Sequence, residues 1–409
     1  MTERTTEKAV PRSMEKIRYR LQITTLTPLH VGSGVAMQEG MDFIAHDKWL
    51  WVAHQGKLME AILAEAEKKV GNLAAAAEAI TDMTLYELRD AGWLRNEHFD
   101  LDKHLFRYRL QGKTSTTDKR GRLAAQMKDV YGQPYVPGST LKGALRSVLL
   151  RAAAEQDQNA PLISRWRRGR GFDGRFAAQE LEQRHFVPAN VERRDVPNYD
   201  LWRAVQVTDS GKPEESDGLH LGHALVFPTK SGGERGIVID LEIIPAGTTF
   251  TAELRIDPWL FYSPEAAKLG FLPQHLAQFD RRLVRTVVND SRKRLMEEIT
   301  YFQSRSNQPN FQRPIYHLDQ VADVYTKLQK NEMVMQIGKG PGWQSKTIGR
   351  VLVERLNQQE FDAFVTDFDM GRGYWTQDRP LPFTRQIVSE WGVVDAPMGW
   401  VKIGLEPVK

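Results

Sequence analysis

Residues 236–256 constrain the fold more than any other stretch of this chain. Ile237, Ile239, Leu241 and Ile243 alternate with Val238, Asp240 and Glu242; Pro245-Ala246-Gly247-Thr248 then turns the chain, and Phe250, Ala252, Leu254 and Ile256 alternate again. A two-residue apolar period belongs to a strand with one face on a core, so the stretch reads as a β-hairpin. The same period runs through Ile17, Tyr19, Leu21 and Ile23 and stops at Thr27-Pro28. Shorter strands are expected at 42–44 and 49–52, joined by a turn at His46-Asp47, and at 201–208, 219–227, 333–337 and 400–405.

Apolar residues three and four apart mark the helices. Residues 57–80 and 85–94 are rich in Ala, Leu and Glu and read as a helical insert. From Ser139, a natural N-cap, Leu141, Ala144, Leu145, Val148 and Leu149 share one face. Residues 276–302 form a long amphipathic helix with Phe279, Leu283, Val287, Leu295 and Ile299 on its stripe and Arg281, Arg282, Arg285, Arg292, Lys293 and Arg294 elsewhere. Scattered strands broken by a few helices indicate an α+β layering, not a βαβ series. Residues 111–122 read as a mobile basic loop or arm, and 156–173 as a second flexible stretch. At 409 residues, two domains are expected.

Composition removes whole classes of chemistry. There is no cysteine, so disulfides, thiolate nucleophiles, iron–sulfur clusters and Cys-type zinc sites are excluded. His220 and His223 lie close in sequence, but on a strand that spacing sends the rings to opposite faces, a poor start for a metal site. No cofactor is implied. No run of about 18 apolar residues could span a bilayer, and Met1 to Arg12 lacks the apolar core of a secretory signal, so no membrane partner and a cytoplasmic location are expected. The balance of 56 Lys+Arg against 52 Asp+Glu leaves only +4, which demands no nucleic acid; the placement of the arginines says more. Arg165-Trp166-Arg167-Arg168-Gly169-Arg170 puts guanidinium and indole together, with Phe172 nearby. Both groups stack on unpaired bases, although a charge run is by default a solvated face.

Two loops open helices in ways that suit phosphate. Gly338-Lys339-Gly340-Pro341-Gly342-Trp343-Gln344-Ser345-Lys346-Thr347 follows a strand and approaches a P-loop, but Ser345 stands where the second glycine belongs and Pro341 removes an amide, so an NTPase is disfavoured. Glycines for close approach, with Lys339, Trp343 and Lys346 beside them, suit an RNA backbone and a stacked base; the alternative is a solvated turn. Gly138-Ser139-Thr140-Leu141-Lys142-Gly143-Ala144-Leu145-Arg146 starts a helix with Lys142 and Arg146 one turn apart. His30, in a glycine-rich loop, is a candidate acid/base for RNA cleavage. Asp42 and Asp209 sit at strand ends, where carboxylates serve function and turns alike.

Taken in order, Thr27-Pro28-Leu29-His30-Val31-Gly32-Ser33-Gly34, Tyr135 through Arg146, Val207-Thr208-Asp209-Ser210 and Ile337 through Thr347 resemble the RAMP proteins of CRISPR systems. Pro382-Phe383-Thr384-Arg385 and Pro397-Met398-Gly399-Trp400 are similar to the subunit that ends the type III-A (Csm) effector at the 3′ side of its crRNA. The resemblance implies two ferredoxin-like (RRM-related) domains of antiparallel sheet and packed helix. On this reading they comprise a tail at 1–13, an N-terminal RAMP domain at 14–260 with the insert at about 56–125, and a RAMP-like domain at 261–409. It implies a non-catalytic crRNA-binding subunit that caps the backbone filament. Its implied partners are crRNA, the other Csm subunits, target RNA and a crRNA-trimming nuclease. By position it assigns RNA contact to Ser139, Lys142, Arg146, Gly338, Lys339, Gly340, Gly342 and Lys346; Trp343, Arg167 and Arg168 join them from the residue chemistry. The alternative is a crRNA-processing endoribonuclease using His30. Asp42 lies where backbone subunits of the family carry a cleaving aspartate, but the capping subunit is not a nuclease.

Overall fold

The computed structural model of the chain describes residues 15–116, 119–163, 177–187, 196–214, 218–227, 237–280, 282–304, 312–370, 385–390 and 393–408. The tail at 1–13, the run holding Arg167 and Arg168, Arg281, and Pro382-Phe383-Thr384 lie outside the described residues.

Strands β1 (Ile17–Thr25), β2 (Gly32–Gln38), β3 (Phe43–His46) and β4 (Trp49–Ala53) lead into helices α1 (Gln55–Val70), α2 (Leu73–Ile80) and α3 (Leu85–Asp90), followed by β5 (Phe106–Gln111), β6 (Arg122–Gln126) and α4 (Gly138–Gln156). Then come α5 (Gln179–Phe186), α6 (Val196–Tyr199), β7 (Val205–Val207), β8 (His220–Phe227), β9 (Val238–Ile243), β10 (Thr249–Ile256), α7 (Trp259–Tyr262), α8 (Pro264–Lys268) and α9 (Pro273–Leu276). The last part holds α10 (Leu283–Gln303), α11 (Gln312–Thr326), β11 (Glu332–Gln336), α12 (Gly342–Lys346), α13 (Gly349–Arg355), α14 (Gln358–Asp367), β12 (Arg385–Glu390), β13 (Val393–Pro397) and β14 (Trp400–Val408).

The expected α+β class holds. One sheet runs β11-β14-β1-β10-β7 and is antiparallel throughout; a second runs β13-β12-β8-β9-β6-β2, with only β6 and β9 parallel; a third, β3-β4-β5, belongs to the insert. Both large sheets mix strands from either side of residue 260. β14 pairs with β1 from Arg18↔Val408 to Thr25↔Val401, and β12 pairs with β8.

Apolar faces of α4 and α10 cover the first sheet. Leu141, Leu145 and Val148 from α4 and Leu283 and Val287 from α10 join Leu21, Ile23, Phe250, Leu254, Met335 and Ile403 in one core, each fully buried side chain contributing about 1.5–3 kcal/mol. The insert has its own core of Trp51, Leu58, Ile62, Leu88 and Phe106.

The hairpin expected at 236–256 does not form. β9 and β10 are present, yet β9 pairs with β8 and β6 while β10 pairs with β1 and β7. Residues Thr25 to Leu29 take the place of a hairpin partner: Leu29 and Ile244 exchange both backbone hydrogen bonds, Thr25 N–H donates to Thr248 O, and Gly247 N–H donates to Thr25 O. Two connections therefore cross side by side between the sheets. The alternation misled because β9 is buried on both faces, Asp240 and Glu242 as well as Leu241 and Ile243. Helix α4 also differs from expectation. It begins at Gly138 after Pro137, and Ser139 makes no capping bond; the Gly138 N–H donates to Asp209 Oδ1 at 2.8 Å instead.

Candidate nucleic-acid interface

The motif strings interlock through backbone contacts that only glycine permits. A Cβ on Gly138 would lie 2.2 Å from Val207 O, one on Gly338 2.4 Å from His30 O, and one on Gly399 2.3 Å from Ile337 O; the last two glycines also have φ of +72° and +88°, which side chains disfavour. Hydrogen bonds fix the same joints. Lys339 N–H donates to His30 O, Gly399 N–H to Pro28 O, Ile337 N–H to Gly399 O, and Ser210 N–H to Val136 O. Segments at 28–32, 136–138, 207–210, 337–339 and 398–399 thus meet at one end of the first sheet.

Between them opens a cleft of about 470 Å³, lined by Gly32, Thr140, Gly143, Ser147, Gln336, Gly338, Lys339, Ser345 and Lys346 at its mouth and sides, with Arg151, Asp290, Arg294 and Trp400 from its walls. Lys339 and Lys346 have no acidic partner among the described residues. Lost hydration lowers the pKa of both, and the charge of Lys339 lowers Lys346 further. Two like charges near one another at a cleft mouth, with no counter-ion among the described residues, are a site for an anion.

Buried arginines shape this rim. Arg151 of α4 binds Asp290 of α10 through two nitrogens, at 2.7 and 2.6 Å, and donates to Ser345 O at 3.0 Å and Thr347 O at 2.6 Å. Arg294 donates to Pro341 O at 3.2 Å and pairs with Glu298. Ser345 Oγ reaches Gln336 Oε1. The loop from 338 to 347 is therefore held by its carbonyls from behind, with Lys339 and Lys346 left on the cleft side.

The structure brings together Gly338, Lys339 and Lys346, and seats Gly340 against Met398, where a Cβ would come within 2.8 Å. Gly342, at φ +76°, only turns the chain into α12. Other expected contacts lie elsewhere. Lys142 Nζ donates to Val205 O, and Arg146 pairs with Asp200 and Glu182 over the ring of Phe186; both cations hold α4 to its neighbours and neither lines the cleft. Ser139 is exposed beside α4's first turn and is not among the lining residues. Trp343, half-buried, packs one part of its ring on Gly349 and Phe364 against the main core and does not line the cleft. His30 is 2 % exposed and donates from Nδ1 to Glu242 O at 2.7 Å; burial pushes its pKa down to about 4. Asp42 caps a turn in the insert, accepting from Gln38 N–H and Gln55 Nε2. His223 turns to Asp240, not to His220.

A family model described as the RAMP superfamily matches residues 22–266. The chain belongs to the RAMP superfamily. Among curated relatives of this RAMP chain, a Streptococcus thermophilus protein named CRISPR system Cms protein Csm5 is 24% identical over 245 residues, 58% of this chain and 63% of that protein. A Mycobacterium tuberculosis (strain H37Rv) protein of the same name is 38% identical over 96 residues, 23% of this chain and 25% of that one. The matched part is thus less than two thirds of the length of these relatives. In fold, the RAMP chain is similar to one in the cryo-EM structure of a Csm-crRNA-target RNA ternary complex of a type III-A CRISPR-Cas system (TM-score 0.62, 20% identity, covering 95% of this chain and 100% of that one). It is also similar to the crystal structure of T. onnurineus Csm5 (TM-score 0.57, 21% identity, 93% and 99% covered).

Arg151 and Asp290, which shape the RAMP chain's cleft, escaped sequence reading, and Arg294, expected off the apolar stripe of its helix, is buried on it. A signal was present: Arg151 follows Val148 by three residues, and Asp290, Arg294 and Glu298 stand in phase with Leu283 and Val287. Opposite charges on the apolar stripes of two helices mark a buried ion pair between them.

Proposed function

We propose that the chain is a non-catalytic crRNA-binding subunit of a type III-A (Csm) ribonucleoprotein, capping the backbone filament at the crRNA 3′ side and supporting crRNA maturation. The observation that carries this reading is the couple Lys339 and Lys346, without an acidic partner among the described residues, on a carbonyl-clamped, glycine-rich loop facing a cleft built from the superfamily's strings. A phosphodiester backbone supplies the missing negative charge. The likeness to proteins named Csm5, and in fold to a chain of a Csm-crRNA-target RNA complex, supports the choice of crRNA and the Csm subunits as partners, with target RNA and a trimming nuclease behind them. For cleavage by His30 nothing speaks in its favour: its ring is buried, with a Cβ position on Gly32 only 3.0 Å from Nε2.

Mobility shifts of an end-labelled crRNA across a salt series test the reading. Lys339→Ala/Lys346→Ala should weaken binding and flatten the slope of log affinity against log salt by about two units, close to one for each phosphate no longer neutralised. Unchanged slope and affinity would sink the assignment of the cleft. Scission of the RNA by the protein alone, abolished by His30→Ala, would return the endoribonuclease.

A further inference from the structure

Between β6 and α4 the chain makes a small turn that the fold does not explain. Asp129 and Gln133 close it, the Asp129 N–H donating to Gln133 O at 2.9 Å and the Gly132 N–H to Asp129 O at 3.0 Å. Asp129 Oδ1 also accepts from Tyr131 N–H at 2.9 Å and Gln133 N–H at 2.8 Å. Four hydrogen bonds over five residues make the tip rigid, as an aspartate-braced turn should be. Yet the tip carries Val130, 91% exposed, and Tyr131, 85% exposed, barer than any other large hydrophobic side chain described. Turn geometry asks for neither residue; polar ones serve it better.

Its position gives them a use. Gln126 pairs with Gly32, and Met127 N–H donates to Val31 O; Val31 and Gly32 both line the cleft. The turn springs from the cleft's rim, and four residues of chain at up to about 3.5 Å each put Tyr131 within about 14 Å of it. Arg107 on β5 is exposed, has no counter-ion among the described residues, and lies close enough to disfavour the charge on Lys128 at the base of the turn. Lys128 itself is neutralised by Glu242, and the Asp129 carboxylate is bound by backbone amides.

We propose that Tyr131 is a stacking post for an unpaired nucleobase of the strand whose backbone lies in the Lys339/Lys346 cleft, with Arg107, near the foot of the turn, to meet a phosphate. The inference rests on the RNA-binding reading above and adds a contact to bases. A convex, rigid aromatic tip suits stacking, which asks for one ring face and little ordering. A protein hot spot would need an apolar pocket edge around it, and beside Val130 the turn offers only Asp129, Gly132 and Gln133.

The test uses the full chain and a single-stranded RNA with 2-aminopurine placed in turn at each position. For the native chain, fluorescence should be quenched at one position beyond the strand held by the cleft. Tyr131→Ala should abolish that quenching and weaken binding roughly tenfold; Tyr131→Phe should keep both, and Arg107→Ala should lower the salt slope by about one unit. If Tyr131→Ala binds like the native chain while Lys339→Ala/Lys346→Ala does not, the stacking post is wrong and the cleft stands. If neither the lysine pair nor Tyr131 affects binding, both readings fall. Loss of Csm-subunit binding without RNA in Tyr131→Ala, with RNA affinity unchanged, would make the tip a protein contact and overturn the proposal.

Discussion

Among the described residues Lys339 and Lys346 have no counter-ion, while the surrounding cations are spoken for: Arg151, Arg294, Arg350, Lys142 and Arg146 each have a partner inside the molecule. Net charge could not reveal this difference, because it depends on which side chains meet across the fold. His30 illustrates the opposite outcome, a polar residue buried by the fold. Its pKa is held down to about 4 first by lost hydration, then by the fields of Lys339 and Lys128, with the bond to Glu242 O acting the other way. The folded chain therefore keeps His30 neutral where the unfolded chain, near its ordinary 6.5, takes up a proton. Stability should fall as pH drops from about 6.5 to about 4, by up to about 3 kcal/mol, and level off below that. Denaturant midpoints of the native chain and His30→Gln across this range check it: the difference between the two curves should change through the window and stay flat above pH 7.

Among the elements, α4 and α10 carry charges on the stripes that pack them together. Arg151 meets Asp290, Arg350 meets Asp290 and Glu155, and Arg294 meets Glu298, which Arg385 of β12 also binds. Such a network adds little over an apolar core, but removing one member strands the rest. Arg151→Met should cost about 3–5 kcal/mol and release the carbonyls of Ser345 and Thr347, lowering both the denaturant midpoint and RNA affinity. Arg151→Lys should fail to restore either, since one ammonium cannot span a carboxylate and two carbonyls. A midpoint unchanged in Arg151→Met would refute the clamp. The strands show a related lesson. The alternation in β1 and β10 was legible because each has one face on the core, whereas β9, buried on both, looked the same in sequence and was assigned the wrong partner.

At the scale of the molecule, β1 lies between β10 and β14, so strands from the two ends of the chain complete one sheet. A chain cut at 260 should show no cooperative unfolding as an N-terminal piece, and regain it when 261–409 is supplied; a cooperative 1–260 fragment would argue for two independent domains. No helix among the described residues is long and apolar enough to cross a membrane. The sequence by itself determined the strands and helices with a single apolar face, the α+β class, the absence of thiol chemistry and, through its glycine-marked strings, the superfamily. Those features are local: apolar period and the motif strings are written in residues a few places apart. Tertiary structure decided which strands pair, that Lys142 and Arg146 bond to neighbouring elements outside the cleft, that His30 is buried, and that Arg151 and Arg294 stand behind the loop. The reason is physical: a charge or a ring acquires its role from what lies within a few ångströms, and here those neighbours come from distant parts of the chain, as Thr347 does to Arg151 across 196 residues.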